Sequence, residues 1–520
     1  MADHEAKTSN LQHGSDKQIT SGTMTPDSAQ IPEKSQGLQK NFSVVSLAGI
    51  GLVVGNVWPA LGGSLLASIA NGGAPGVIYE FIVVSISYFN VAAIVAELAS
   101  ALPSSAGVLL WASVTAGRRS GRIIGYFAGY WNFLAWVFAE ASMSLICGNV
   151  CVQMYTLTHP GFVAESWHIV ICYLIVTWLA CALVCSMNSV VPHVNIFGIA
   201  AIVLGGLTTI IVCATMTTQG AGPASNKTVW VDWTADIGYP SGFVFVAGML
   251  NGAFTMGTPD ATTHLAEEIP RPEVHVPKAI AAQYCLGFIS AFAYLITILY
   301  CIKDYHALGK AAFPIAEVYW QATQGSTGVT VFLLVLLLLP TLVCTIGLYV
   351  TCGRTLWTLA RVNATPFASQ FGRISEKQHM PVTATLASAL LVTVLGFIYL
   401  GSSTAFNSFI ASFILHSSAS YMAAILPYLF RRHNPGFQRG PFRLRGIWGW
   451  LVHSWACAYM VVWFVIYCFP YSLPTDAQSM NYSVVIWGGL TALTGLWWLV
   501  AGRRRCLWPA VIEGELIDLA

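Results

Sequence analysis

The sequence predicts an all-α polytopic membrane protein of twelve transmembrane helices, with a five-plus-five inverted-repeat core in which helices 1 and 6 are discontinuous. Three observations predict it. Of the 520 residues, 56% are hydrophobic and only 9% are charged, whereas a soluble domain carries roughly 25% charged residues. Apolar stretches of about 20 residues, enough to cross a bilayer, recur along the chain. Two of these stretches, five spans apart, are interrupted in their middles by Gly and Pro.

The twelve stretches lie near 45–69, 76–102, 123–156, 168–187, 192–217, 242–264, 279–303, 329–357, 382–400, 404–430, 448–470 and 483–502. The third and eighth are long enough to tilt or to project from the bilayer. Residues 1–41 are polar and rich in Ser, Thr, Gln and Lys, so they read as a disordered cytoplasmic tail with no cleavable signal peptide. Residues 42–502 form the twelve-helix domain, and 503–520 a cytoplasmic C-tail. With the N-terminus in the cytoplasm, only Lys227, Lys303 and Lys310 of the 24 Lys and Arg residues fall on outer loops. Both termini are therefore expected inside, in the plasma membrane or, alternatively, the vacuolar membrane. Two glycosylation sequons, Asn226-Lys227-Thr228 and Asn481-Tyr482-Ser483, fall on predicted outer loops.

Several function classes receive no support. The thirteen cysteines, among them Cys147, Cys151, Cys181, Cys185 and Cys344, lie almost entirely in apolar segments and read as small buried residues. No CxxC or Cys/His cluster suggests a metal, and no cofactor is expected. No GxxxxGK[ST] loop points to ATP. No nucleophile–base pair marks an enzyme, and no feature marks a nucleic-acid partner.

The sixth span reads MLNGAFTMGTPDATTHLAEE from Met249 to Glu268. Gly252, Gly257, Thr258 and Pro259 stand where a spanning helix should continue. Thr258 suits an N-cap, Pro259 the first helical position and Asp260 the first turn, so a second helix is predicted to start inside the membrane. In the first span, Gly49, Gly51 and Gly55 are followed by Asn56, Trp58 and Pro59. Pro340 in the eighth span lacks neighbouring Gly and reads as a kink. Unpaired backbone groups at that depth are tolerated only where they line a protein cavity, and paired interruptions are the pointer to a substrate site in secondary transporters. Free N–H groups attract a carboxylate and free C=O groups an ammonium, so a zwitterion matches both. A cation gradient would then supply the work.

The candidate substrate-binding residues are Gly49, Gly51, Gly55, Asn56 and Trp58 in the first span, and Phe254, Thr255 and Gly257 in the sixth. Trp131 and Tyr349 join them on spans that would line the cavity, since aromatic faces suit a cationic head group. Phe254 is the expected gate. Asp260, His264 and Glu268, at i, i+4 and i+8, would form a polar ladder on the second half-helix, acting as a gate or as a proton relay. Glu140, in the middle of the third span, should face the interior and could attract an amine or carry the coupling proton. Glu267 and Glu268 are expected to pair with inner arginines. Glu97 reads as inner-loop packing, Glu80 as reaching the outer surface, and His416 and His453 as helix–helix contacts.

Asp260-Ala-Thr-Thr-His264-Leu-Ala-Glu267-Glu268, followed by Pro277-Lys278-Ala279-Ile280, resembles a signature of the amino acid–polyamine–organocation permeases. Glu97-Leu-Ala-Ser100-Ala-Leu-Pro103 resembles their second-helix motif, and Asn56-Val57-Trp58 looks most like the fungal branch that carries amino acids, γ-aminobutyrate and choline. The resemblance implies a permease of the lipid bilayer importing an amino acid or related small amine by proton symport. Choline, another quaternary amine or γ-aminobutyrate is the alternative substrate, and a nutrient receptor without transport is an alternative of another class. Ala106-Gly107-Val108-Leu109-Leu110-Trp111 departs from the family's second-helix pattern by lacking its tyrosine. No Gly-Ser/Thr-Gly stands in the first span to hold a substrate's acid end, so Gly49, Gly51 and Gly55 must serve.

Overall fold

The computed structural model describes residues 44–507, apart from 56, 66–69, 221, 236, 403, 432–438 and 478. The expected N-tail and most of the C-tail lie outside the described residues. Among those described there is no strand, only an isolated bridge between Asn71 and Ala235. Eleven helical stretches are long and apolar enough to cross a membrane. The first is formed by α1 (Val44–Gly55) and α2 (Val57–Gly63). After α3 (Gly73–Ala101), a short buried helix α4 (Val108–Thr115) leads into α5 (Gly117–Thr158). Next come α6 (Ser166–Ser186) and α7 (Val191–Gln219).

The predicted sixth span is the exception to the expected twelve. It is a shorter apolar helix, Ser241–Met256, divided into α8 (Ser241–Gly248) and α9 (Leu250–Met256). The remaining elements are α10 (Pro272–Cys301), α11 (Thr327–Arg361), α12 (Val382–Gly401), α13 (Ala405–Arg431), α14 (Gly446–Ile466) and α15 (Ser483–Trp497). The last runs on to Arg505, with its window Ser483–Arg505 counted as one span. Helix α5 has 42 residues. At 1.5 Å per residue it is roughly 63 Å long, twice a hydrocarbon core, so it must project from the bilayer. Helix α11 continues straight through Pro340 in sequence.

Lipid offers no hydrophobic drive for helix association, so close approach depends on small residues. Gly129 of α5 faces Leu109 of α4, and Gly148 faces the Ile169 backbone of α6. Gly198 of α7 faces Val53 of α1, and Gly206 faces the Trp58 indole of α2. Trp58 is fully buried there. Its Nε1 donates to the Ile202 carbonyl at 3.0 Å, and its ring meets Tyr294 of α10 at 5.0 Å.

Arginines gather at one end of the bundle. Arg122 donates to the Arg503 carbonyl, Arg431 abuts Gly117, and Arg361 pairs with Glu267. At the opposite end, the Leu473 amide donates to the Ile237 carbonyl and Tyr79 bonds the Trp230 carbonyl. Both sequon asparagines belong to this end, but they differ. Asn226 is exposed, whereas Asn481 is 1% exposed. The Asn481 Nδ2 donates to the Tyr467 and Phe469 carbonyls at 2.6 and 3.1 Å, so its side chain is engaged within the loop that carries the sequon.

A Cβ at Gly206 would lie 3.0 Å from the Trp58 Nε1. Gly206→Leu is therefore expected to displace the indole and break its bond to Ile202, at the 1–3 kcal/mol typical of overpacking. Thermal melting of detergent-purified protein should fall by several degrees. Gly488→Leu, placed where nothing lies within 4 Å, should leave melting unchanged.

Candidate functional site

Helix α9 stops at Met256, and Gly257 to Thr262 are not helical. The carbonyls freed by this stop are met by side chains. The Tyr284 hydroxyl donates to the Met256 carbonyl at 2.5 Å, Tyr421 lies 3.4 Å from the Gly257 carbonyl, and the Gln283 Nε2 donates to the Thr258 carbonyl at 3.1 Å. The same amide reaches the Thr258 Oγ1 at 3.1 Å. Gly257 has no room for a side chain, since a Cβ would lie 2.6 Å from the Ala253 carbonyl and 3.0 Å from Phe413.

The α-helix expected to start at Thr258 and Pro259 does not form. A 3-10 helix begins instead at Thr263 and ends at Glu268. The reason lies in Asp260, whose carboxylate is held from three directions. Its Oδ2 accepts from the Asn132 Nδ2 at 2.7 Å and faces the His264 Nε2 at 3.2 Å, while its Oδ1 accepts from the Tyr421 hydroxyl at 2.5 Å. The His264 Nδ1 lies 3.3 Å from the Ser105 carbonyl, and Trp136 meets the ring edge-on at 5.9 Å. Anchors from three elements, α5, α13 and the α3–α4 connection, fix the turn more strongly than a local cap would.

The expected ladder on one helix face is therefore corrected. Asp260 and His264 do touch, but Glu268 turns to Arg354 of α11, with N···O distances of 2.5 and 3.0 Å. Both partners are buried. Glu267 lies 3.3 Å from Arg361 and accepts from the Ser105 amide at 3.2 Å. Residues 260–268 are thus fastened to the α3–α4 connection, α5, α11 and α13. This arrangement closes the arginine-rich end.

The first span meets the sixth through Gln283. A Cβ at Gly51 or at Gly55 would lie 3.0 Å from an amide atom of Gln283. These two glycines leave space for a side chain that also bonds Thr258. Gly49 points elsewhere, to within 2.7 Å of the Ile199 side chain, and so serves helix packing. Asn56 lies outside the described residues. Trp58 packs between α7 and α10, as described above. Phe254 is buried and meets Phe413 edge-on at 5.8 Å, and the Thr255 hydroxyl donates to the Asn251 carbonyl of its own helix at 2.9 Å. Asn251 itself bonds the Ser64 hydroxyl at 2.7 Å, joining α9 to the end of α2.

Trp131 is corrected. Its Nε1 donates to the Thr491 hydroxyl at 2.9 Å and its ring stacks on Trp487 at 5.9 Å. Neighbouring Asn132 faces Asp260, and one residue turns a helix by about 100°, so Trp131 faces α15 instead. Tyr349 is buried with a hydroxyl that has no hydrogen-bond partner among the described residues. Glu140 is fully buried. Its Oε1 accepts from Ser144 at 2.9 Å, while its Oε2 has no partner among the described residues. Glu80 does not reach the surface, being 2% exposed. Glu97 pairs with His453 at 3.4 Å and accepts from the Leu444 amide. The His416 Nδ1 bonds the Ser412 carbonyl of its own helix at 2.8 Å.

Sequence reading missed Asn132, Gln283, Tyr284, Arg354 and Tyr421. Their signal was available: Asn132, Gln283 and Arg354 are polar or charged groups within apolar spans, where such residues turn inward. At the end opposite the arginines, a cavity of about 580 Å³ is lined by Asn71, Ala247, Leu250, Asn407, Tyr467 and Asn481, among others.

Two predictions follow from this geometry. Arg354→Ala leaves Glu268 buried without its partner, a loss of about 3–5 kcal/mol. Melting should fall accordingly and transport should drop at least tenfold. The double change Glu268→Ala with Arg354→Ala should recover part of the stability, which a double-mutant cycle would read as coupling. Gly257→Leu should abolish transport while surface labelling shows normal delivery, because the new side chain must displace Phe413 and the Ala253 carbonyl.

Residues 42–490 match a family described as "Amino acid permease". The chain is 29% identical to the choline transporter of Saccharomyces cerevisiae, over 90% of this chain and 82% of that protein. It is 28% identical to a putative amino acid/polyamine transporter of Macrophomina phaseolina, over 84% of this chain and 96% of that protein. It is also 28% identical to a transmembrane transporter of Metarhizium robertsii, over 93% and 98% of the two chains. The chain belongs to the amino acid permease family of the amino acid–polyamine–organocation superfamily.

Proposed function

We propose that this membrane transporter is a secondary active permease that imports an amino acid or related small amine by proton symport. The observation that carries the reading is the meeting of the glycine-rich first span and the interrupted sixth span at Gln283, closed towards the arginines by Asp260–His264 and Glu268–Arg354. Substrate would bind between the first and sixth spans, and rocking of the bundle would expose it to each side in turn. The arginine-rich end would face the cytoplasm of the plasma membrane. The inverted five-helix repeat remains the expected basis of that motion.

Charge favours an amine. Buried Arg354 is neutralised by Glu268, whereas among the described residues Glu140 keeps one oxygen without a partner. The Cys344 thiol donates to the Val54 carbonyl of the first span at 3.6 Å. An inside-negative potential would add about 2.3 kcal/mol per positive charge per 100 mV to entry.

A second reading, choline or another quaternary amine, is favoured by the rings near the sixth-span break. Phe254, Phe413 and Trp136 pack in series, and aromatic faces bind such head groups. The similarity to a choline transporter points the same way.

The test is uptake of labelled choline, γ-aminobutyrate and mixed α-amino acids in permease-deficient cells at pH 5 and pH 7.5. Amino-acid uptake that is larger at pH 5 is expected, and Glu140→Gln should change its pH profile or the apparent affinity for the amine. Choline uptake alone would replace the first reading by the second. No uptake by protein confirmed at the surface would overturn both in favour of a receptor.

A further inference from the structure

Glu80 has no part in the site described so far. It lies on α3, is 2% exposed, and neither carboxyl oxygen has a hydrogen-bond partner among the described residues. Its carboxyl rests against Gly248, where a Cβ would overlap it, and its Oε1 is 3.4 Å from the Cβ position of Gly76. Gly248 is also where the sixth span bends, with a turn at Met249 between α8 and α9. The bend borders the cavity at the end opposite the arginines, since Ala247, Leu250, Asn71 and Tyr467 all line it.

Among the described residues, no cationic side chain balances a negative charge at Glu80. Helices α8 and α9 carry no ionisable side chain. Helix α14 brings Tyr459, bonded to Tyr467 just beyond its end at 3.3 Å, and its His453 is engaged with Glu97. Helix α10 brings Tyr284 and Tyr294, whose hydroxyls are bonded to the Met256 carbonyl and to Tyr319. Tyr88 stands on α3 itself. The short helix Asn226–Trp230 brings Lys227, exposed and paired with Asp232 at 3.2 Å.

An ionised carboxylate without donors or a counter-charge is strongly disfavoured in such surroundings. It must carry a proton or acquire a partner. Gly248 and Gly76 lie close against the carboxyl, and a proton is the partner that needs no added room. We propose that Glu80 is a proton-loading site, filled from the adjoining cavity, and that the bend at Met249 controls its exposure during the transport cycle. In the loading step the carboxylate takes one proton from the cavity side and becomes the neutral acid. Release after rearrangement returns the same proton to the other side. The proposal rests on the proton-coupled reading above.

The test uses full-length protein in liposomes, with potential clamped, and with choline, γ-aminobutyrate and an α-amino-acid mixture as probes. Uptake driven by an inward gradient of two pH units is compared with exchange at equal pH. For one proton per substrate such a gradient supports up to about a hundredfold accumulation. Wild type should respond to the gradient. Glu80→Gln should lose that response far more than it loses exchange, and Glu80→Asp should keep the response with a displaced pH profile. Equal loss of both activities in Glu80→Gln would make Glu80 structural and overturn the proposal, as would a gradient response in Glu80→Gln as large as that of the unsubstituted protein. Should Glu80→Gln fail to fold, an unmoved pH profile in Glu80→Asp would overturn it. Wild-type uptake indifferent to the gradient would remove proton coupling and Glu80's role together, leaving transport intact. Absence of any wild-type transport would instead overturn the transporter reading.

Discussion

Three successive carbonyls, those of Met256, Gly257 and Thr258, constrain the centre of this protein. A helix that ends within an apolar bundle leaves them without intrahelical partners, and an unmet buried carbonyl is costly. Tyr284 and Gln283 of α10 meet the first and third, and Tyr421 of α13 approaches the second. The sixth span therefore cannot shift freely against α10 and α13, because moving it exchanges these bonds. Tyr421 has one hydroxyl proton and two acceptors. It lies 2.5 Å from Asp260 and 3.4 Å from the Gly257 carbonyl, so the proton goes to Asp260. The Gly257 carbonyl is thus the least satisfied of the three, and it lies between the aromatic pair Phe254–Phe413 and the buried Asp260.

The two ends of the bundle are held by different physics. At the arginine-rich end, charge-assisted bonds converge on residues 260–268. Such bonds are shorter and stronger than neutral ones, and a bidentate Arg–carboxylate pair also fixes direction. A buried pair of this kind adds little net stability but is expensive to break by halves. Separating its two sides would therefore need a more polar setting for each. At the other end, single tyrosine and asparagine bonds to backbone carbonyls do the joining, and a cavity remains between them. The Glu268–Arg354 pair and the interrupted backbone meet in one segment, Gly257–Glu268, that ends in a 3-10 helix. A change at Gly257 has only that short path to travel before it reaches Glu268.

Much of this organisation was legible in the sequence. Span positions follow from hydropathy, and the sixth-span interruption from Gly257 and Pro259, while the one expected in the first span falls at Asn56, outside the described residues. What was not legible is which way each residue faces. A helix apolar on nearly every side gives no stripe from which to read its orientation. Trp131 and Asn132 are adjacent, yet one meets Trp487 and the other Asp260, and only the packing partners distinguish them. The α-helix expected from Thr258 failed for a related reason. Capping preferences are local, whereas Asp260 is claimed by Asn132 and Tyr421, 128 and 161 positions away. Glu80 was misread because its place near a span end suggested a surface, while Gly76 and Gly248 allow it to be enclosed.

The glycines carry a more specific message than flexibility. Gly51 and Gly55 abut the Gln283 amide, and Gly248 abuts the Glu80 carboxyl. In each case the missing side chain lets a polar group approach a span that is otherwise apolar. Gly49 and Gly198, spaced no differently in sequence, abut only Ile199, Val53 and Val343 side chains. Glycine in these helices thus has two uses, separated by the neighbour it admits. Where that neighbour is aliphatic, the glycine brings helices together. Where it is an amide or a carboxyl, the glycine brings hydrogen-bonding capacity to a point that lipid cannot supply. Both polar instances in the first span share one partner, Gln283, which also holds Thr258. The first span and the sixth-span interruption are therefore tied through a single side chain, and displacement of either is felt by the other through it.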